Sequence, residues 1–381
     1  MPYKQARVPA LQILLFVLTF MTTTLAGVEW IFGRPLFYSF LNAEIFPFFT
    51  WAQVRQGLLF SIPFLTVLTC HEFGHYLTAR YYRIRVSLPY YIPIWFGPIS
   101  TIGTMGAFIR IKEKILSKKE FFDVGIAGPL AGFAVALPLL FYGFTHLPDA
   151  TYIFKIHPEY QQYGLNYAEK VYQQTNGTSF ALGKNLLFLF FERYVATDQA
   201  AIPNAYEVIH YPLLFAGYLS LFFTALNLLP IGQLDGGHIL YGLIGQRHFN
   251  RISPVLFVLF IGYAGLGIFS PHTAQEDAQW MFPAYGLYLY LVLRGAVATS
   301  SQALLIIAGI LLTQYGIAYL FPDIQGYMGW LAFGFLLGRF LGIFHPAAID
   351  ESPLSLGRKL LGCLALVIFV LCFSPTPFVV N

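Results

Sequence analysis

Residues 56–80, QGLLFSIPFLTVLTCHEFGHYLTAR, form an apolar run of membrane-spanning length with two histidines and a glutamate set close together near its end. A hydrocarbon core about 30 Å thick needs roughly 20 mostly apolar residues per helix, and ionisable groups inside such a helix are costly enough to demand a common purpose. Comparable runs recur on both sides of this one. The sequence predicts about nine spans, near residues 9–29, 56–80, 121–145, 210–231, 252–271, 280–298, 302–321, 327–345 and 358–376.

Composition agrees. Of 381 residues, 57% are hydrophobic and 10% charged, whereas a soluble domain carries about 25% charged residues. The expected fold is an all-α polytopic membrane protein, one membrane domain over 1–381 with the lipid bilayer as its solvent. The net charge of +4 is spread without a dense Lys/Arg run, so no nucleic-acid partner is expected. Three cysteines, Cys70, Cys363 and Cys372, are too few for a disulfide framework or a cysteine metal site, so any metal must use His and carboxylate. The run from Val8 to Gly27, behind Lys4 and Arg7, reads as a retained first span, because it is long and no small-residue cleavage site closes it.

Basic residues fall in alternate loops: Arg80, Arg83 and Arg85 with Lys112 to Lys119, then Arg247 and Arg251, then Arg294, then Arg358 and Lys359. The excess of positive charge on cytoplasmic loops puts these inside, and nine spans then put Asn381 on the opposite face. Two stretches are not spans. Residues 86–111 are broken by Pro89, Pro93, Gly97, Pro98, Gly103 and Gly106, which predicts a β-hairpin segment dipping into the membrane interface. Residues 146–209, with Asp149, Glu159, Glu169 and Glu192, read as an extracytoplasmic excursion. Its Asn176-Gly-Thr178 fits a glycosylation sequon by letters only.

His71-Glu72-Phe73-Gly74-His75 is HExxH, which sets two imidazoles one turn apart on one helix face, about 6 Å along the axis. That geometry suits one zinc ion, and Glu72 is placed to take a proton from a water without being a ligand itself. A hydrolytic zinc site needs a third protein ligand and an open position. Asp123 and Asp235 are the carboxylates at suitable depth. Asp235 is better placed, because Pro230 and Gly232 interrupt the helix before it and Gly236-Gly237 lets the chain turn sharply after it. Gly125, Gly128 and Gly132 have the small-residue spacing of close helix packing. Cys70 reads as packing, His238 as interfacial, and His146, His157, His210, His248, His272 and His345 as ordinary surface or interfacial groups.

HEFGH at 71–75 together with NLLPIGQLDGG at 227–237 resembles the site-2 protease family of intramembrane metalloproteases, and the Gly125–Gly132 run and hairpin segment look like its plastid and cyanobacterial branch. The resemblance covers residues 55–245 as a catalytic core and leaves 250–376 as additional C-terminal helices. It implies one Zn²⁺ per chain held by His71, His75 and Asp235, with Glu72 as catalytic base and transmembrane protein segments as substrates. The charge topology puts both motifs near the cytoplasmic ends of their helices, so the active site is expected on that side. Asn227 is read as binding substrate backbone or the developing oxyanion, beside the plainer reading of a helix-capping or interhelical amide. Residues 146–209 lack the strand pattern of the PDZ domain that several members carry. The rival reading is a membrane transporter or channel with an intramembrane His/Glu/Asp cation site. Strict HExxH spacing and the lack of repeated broken helices weigh against it, and an intact Glu72 weighs against a binding-only pseudoenzyme.

Overall fold

A computed structural model describes residues 9–33, 50–96, 100–174 and 180–380. Lys4, Arg7, Val8, Gly97, Pro98, the Asn176 sequon and Asn381 lie outside the described residues. The chain divides into two compact units, one of Met1–Ile115, Ala127–Leu226 and Val367–Asn381, the other of Leu116–Ile126 and Asn227–Leu366.

The first unit is built on helices α1 (Ala10–Phe32) and α2 (Trp51–Tyr81). Thr50 starts α2 with a reciprocal cap. Its hydroxyl accepts from the Gln53 N–H at 3.3 Å and the Gln53 side chain accepts from the Thr50 N–H at 2.9 Å. From there 31 helical residues span about 46 Å, more than the hydrocarbon core requires. The two helices meet at small residues. A Cβ on Gly57 would stand 2.5 Å from the Thr24 carbonyl oxygen, and one on Gly27 would stand 2.7 Å from the Phe60 ring. Thr24 and Ser61 share a buried hydroxyl–hydroxyl bond of 2.8 Å across the same seam.

The expected hairpin is present. Strands β1 (Tyr90–Pro93) and β2 (Thr104–Phe108) pair antiparallel, with Tyr90 opposite Phe108, Tyr91 opposite Ala107 and Pro93 opposite Thr104. The hairpin is fastened to both helices. Gly103 adopts φ +83°, and a Cβ there would fall 2.2 Å from the Thr23 Cα. Thr22 donates to the Gly103 carbonyl at 2.6 Å and Trp30 Nε1 donates to Thr101 O at 2.8 Å. On α2, Tyr91 packs between Leu65 and Leu68, and its hydroxyl bonds that of Thr69 at 2.8 Å.

Beyond helix α3 (Lys118–Thr145), which begins in the second unit and continues in the first, the excursion folds into 3₁₀ turns at Ala150–Lys155, Pro158–Asn166 and Val208–His210. It also carries short helices α4 (Tyr167–Gln174) and α5 (Leu186–Tyr194). Strand β3 (Phe180–Leu182) pairs antiparallel with β4 (Phe378–Val380), a sheet for which the sequence carries no local signal. Tyr218, on α6 (Pro212–Leu228), ties the sheet down by donating to Gly183 O at 2.8 Å and Pro377 O at 2.6 Å.

The second unit holds α7 (Asp235–Ala264), α8 (Gln275–Leu293), α9 (Ser300–Leu320), α10 (Gly329–Leu336) with a π turn at Leu337–Leu341, and most of α11 (Leu356–Cys372). Arg247 and Arg251, expected in a loop, lie inside α7, which bends instead at Gly245 (φ +75°). On α9 the exposed side chains include Leu304, Leu305, Leu312 and Leu320, while Gln314 is buried. The Gln314 amide donates to Gly262 O at 2.8 Å and to Tyr285 Oη at 2.9 Å. Apolar outside and polar inside is the arrangement hydrocarbon favours.

Among the described residues, four helices are long and apolar enough to cross a membrane: Ala10–Phe32, Trp51–Tyr81, Lys118–Thr145 and Ser300–Leu320. Pro212–Leu228 and Gly329–Leu341 are apolar but shorter. The Thr24–Gly57 seam leaves no room for a side chain, so Gly57→Leu is expected to destabilise the fold by about 1–3 kcal/mol. Gly316→Leu, with open space at its Cβ, is expected to have little effect. Thermal unfolding of both variants in detergent measures the difference.

Candidate metal centre

His71, Glu72 and His75 are buried on the C-terminal half of α2. Their helix spacing brings His71 Nε2 to 3.0 Å from His75 Nε2, with ring centroids 4.7 Å apart and planes at 76°. Two imidazole edges thus converge on one point, the arrangement the HExxH spacing predicts. The Thr69–Tyr91 bond fixes the turn immediately before it.

Space for the rings comes from glycine. A Cβ on Gly128 would lie 2.1 Å from His75 Nε2, and one on Gly132 would lie 3.1 Å from the His71 Cβ. Reciprocally, a Cβ on Gly74 would lie 2.5 Å from the Ala127 carbonyl oxygen. The small-residue run on α3 is therefore the wall against which both imidazoles rest. Close packing was legible from its spacing; that the histidines themselves fill the groove was not.

Asn227 and Asp235 belong to the second unit. Asn227 is the penultimate residue of α6 and half-buried, and the chain then leaves helical geometry at Leu229 and Pro230. Asp235, also half-buried, is the first residue of α7, where the unpaired N–H groups of a helix start favour a carboxylate. Gly236-Gly237 does not make the sharp turn expected of it. Both are helical, and they let the first turn press on the preceding loop: a Cβ on Gly236 would meet Leu228 O at 2.0 Å, and one on Gly237 would meet Gly232 O at 2.2 Å. Gly232 is itself held by Ser253, whose hydroxyl accepts its N–H at 3.0 Å and donates to Ile343 O at 2.7 Å.

Asp123, the other candidate carboxylate, is engaged by Arg358 through two parallel bonds of 2.8 Å. His238 Nδ1 lies 2.8 Å from His345 Nε2. His345, expected as an ordinary surface or interfacial group, is buried: its ring stacks on Tyr241 at 3.8 Å, and Asn250 Oδ1 accepts from its backbone N–H at 2.9 Å. His210 departs from expectation in the same way. It is buried beside Glu207 and His157, and burial, reinforced by the charge of Glu159, pushes the Glu207 carboxyl up to about 8. Glu207-x-x-His210 is the only local signal of that cluster, since His157 lies 53 residues away.

A largely helical fold with apolar spans, and with HExxH buried on one of the longest, defines a membrane protein with a candidate metal-binding helix. Comparison with known proteins narrows this. Residues 59–268 match peptidase family M50, and the chain belongs to that family. Among curated proteins it is 31% identical over 193 residues to probable zinc metalloprotease EGY1, chloroplastic, of Oryza sativa subsp. japonica, covering 51% of this chain and 29% of that protein. It is 28% identical over 213 residues to probable zinc metalloprotease EGY2, chloroplastic, of Oryza sativa subsp. indica, covering 56% and 33%. To EGY1 of Arabidopsis thaliana it is 29% identical over 216 residues, covering 56% and 34%. The matched region spans about a third of the length of these relatives. No solved structure matches the chain.

If the glycine wall sets the imidazole positions, Gly128→Ala will push the His75 ring aside. Metal analysis of the purified protein is expected to show metal content falling in Gly128→Ala and unchanged in Gly286→Ala, whose Cβ meets only open space.

Proposed function

We propose that the chain is a zinc-dependent endopeptidase acting inside the membrane, hydrolysing peptide bonds within or next to transmembrane segments of membrane-protein substrates. The observation that carries this reading is the buried His71–His75 pair with Glu72 between them, on a helix of membrane-spanning length in an M50 family member. The names of the relatives, zinc metalloproteases, support the same choice of metal. The donor set fits zinc: converging imidazole nitrogens, ring space cleared by glycine and a carboxylate one residue from the first ligand.

His71 and His75 would hold the ion with Asp235 as third ligand, one Zn²⁺ per chain. Bound zinc would supply Lewis acidity, polarising the scissile carbonyl and lowering the pKa of its water toward about 7. Glu72 accepts the proton of the attacking water and delivers it to the leaving nitrogen. Because a transmembrane helix hides its peptide bonds in its own ladder, the substrate must unwind locally before it can be cut. An edge of the β1–β2 hairpin offers the extended segment new backbone partners, and the Asn227 amide holds the substrate backbone or developing oxyanion.

The finer topology belongs to the same reading: an integral, multi-pass protein of nine spans, with the active site near the cytoplasmic side. Residues 55–245 then form the catalytic core, and 250–376 form helices added to it.

The deciding experiment incubates the purified protein in detergent with a panel of single-span substrates. Glu72→Gln is expected to lower cleavage by roughly 10²–10⁴-fold with zinc retained, and His75→Ala to lose zinc as well. Native-rate cleavage by Glu72→Gln would sink the proposal, and cation flux across sealed vesicles holding the protein, without cleavage, would favour a transporter. Asn227→Ala is expected to cut the rate by about 10²–10³-fold at full zinc occupancy, measured in the same assay.

A further inference from the structure

We propose that His157, Glu207 and His210 form a second metal site, in the excursion between α3 and α6, that takes a borderline divalent cation of the zinc type. The three side chains each bring one donor atom, and these atoms all lie within 4.8 Å of one another. His157 Nε2 is 3.4 Å from His210 Nε2, and His210 Nε2 is 3.4 Å from Glu207 Oε2. Donors held about 2.0–2.1 Å from a tetrahedral ion stand about 3.4 Å from each other. Two edges of the triangle therefore have the length that a shared ion requires.

The surrounding bonds orient each donor toward that ion. His210 Nδ1 donates to the Ile31 carbonyl at 2.6 Å, which leaves the lone pair of Nε2 facing Glu207 and His157. His157 Nδ1 is bound by the Glu159 carboxylate at 2.9 Å, which again leaves Nε2 turned inward, and its ring is stacked on Tyr160 at 4.6 Å. A carbonyl or carboxylate behind each imidazole is the support that metal-ligating histidines almost always have.

Glu207 supplies the second, independent observation. It is 1% exposed, and Oε1 accepts from the Tyr172 hydroxyl, but Oε2 is buried without a hydrogen bond. Among the described residues no Lys or Arg pairs with it. An orphaned carboxylate oxygen beside two imidazole lone pairs is costly in a folded protein, and one cation satisfies all three groups. Two imidazole nitrogens with a single carboxylate match zinc, cobalt(II) or nickel(II) better than calcium or magnesium, which favour all-oxygen sets. An ion here joins the 3₁₀ turn at Pro158–Asn166 to the one before α6, and through Ile31 to the end of α1. It therefore acts as a structural tie.

The test is made in the His71→Ala/His75→Ala background, so that the outcome does not depend on the proposed catalytic zinc. Protein stripped with chelator is titrated with Zn²⁺ and, for its visible spectrum, with Co²⁺. One equivalent of bound metal, a tetrahedral cobalt spectrum and a zinc-dependent rise in unfolding temperature are expected. Glu207→Gln should abolish all three while leaving the unfolding temperature of the metal-free protein close to that of its parent. His157→Gln, at the more exposed ligand, provides a second variant with the same expectation. Absence of bound metal in the double-alanine background, or zinc binding that survives both Glu207→Gln and His157→Gln, would overturn the proposal. Loss of cleavage by Glu72→Gln in the unaltered chain reports on the proposed protease alone, so the two readings fail separately.

Discussion

The structure depends on the closeness with which α3 approaches α2 at Gly128 and Gly132. Two imidazoles and a carboxylate inside an apolar helix are tolerable only when neighbouring protein encloses them. The glycines admit the rings where any side chain would stand in their place. The same contact runs in the opposite direction at Gly74, whose missing Cβ admits the Ala127 carbonyl. The helices therefore interlock through absent side chains on both partners. Because van der Waals packing substitutes for the hydrophobic effect in lipid, this closeness stabilises the pair as well as making room for it.

The hairpin is the second element on which the motif relies. Tyr91 seats against Leu65 and Leu68 and bonds Thr69, so the strand pair is registered on α2 directly before the histidines. Gly103 brings the other end of the hairpin onto the backbone of α1. Proline and glycine break the segment into strands, and the register follows from Tyr91 facing the helix while Tyr90 stacks on Phe108. The chemistry-bearing helix is thus flanked by a helix that is held close and a hairpin that is held in register.

Much of this was legible in the letters of the sequence, and the parts that were not have identifiable causes. HExxH, the hairpin and the helical, apolar character are local patterns with a period or spacing to read. The pairing of Phe180–Leu182 with Phe378–Val380 is not local: each strand is three residues long and nearly 200 residues separate them. His210 and His345 sit at the edges of apolar runs, where burial depends on which loop folds over them, so local pattern alone reads them as surface or interfacial groups. Arg247 and Arg251 resemble loop residues because charge usually ends a span, yet α7 continues through them. The break after Asn227 is legible in Pro230 and Gly232, while the glycine pair following Asp235 serves helix packing instead of turning. In the sequence the third ligand of the proposed zinc is named by motif and family resemblance, since spacing within one helix says nothing about a partner from another.

Gly245 carries a consequence of its own. Its φ of +75° and ψ of 164° divide α7 into two rods, and open space surrounds the position where a Cβ would stand. Crowding therefore does not force the bend; the backbone torsion of a single residue sets it. Arg247, His248 and Arg251 follow within two turns, so the direction in which this basic cluster projects is determined by one dihedral pair. A residue with no side chain thereby aims the charge of its neighbours.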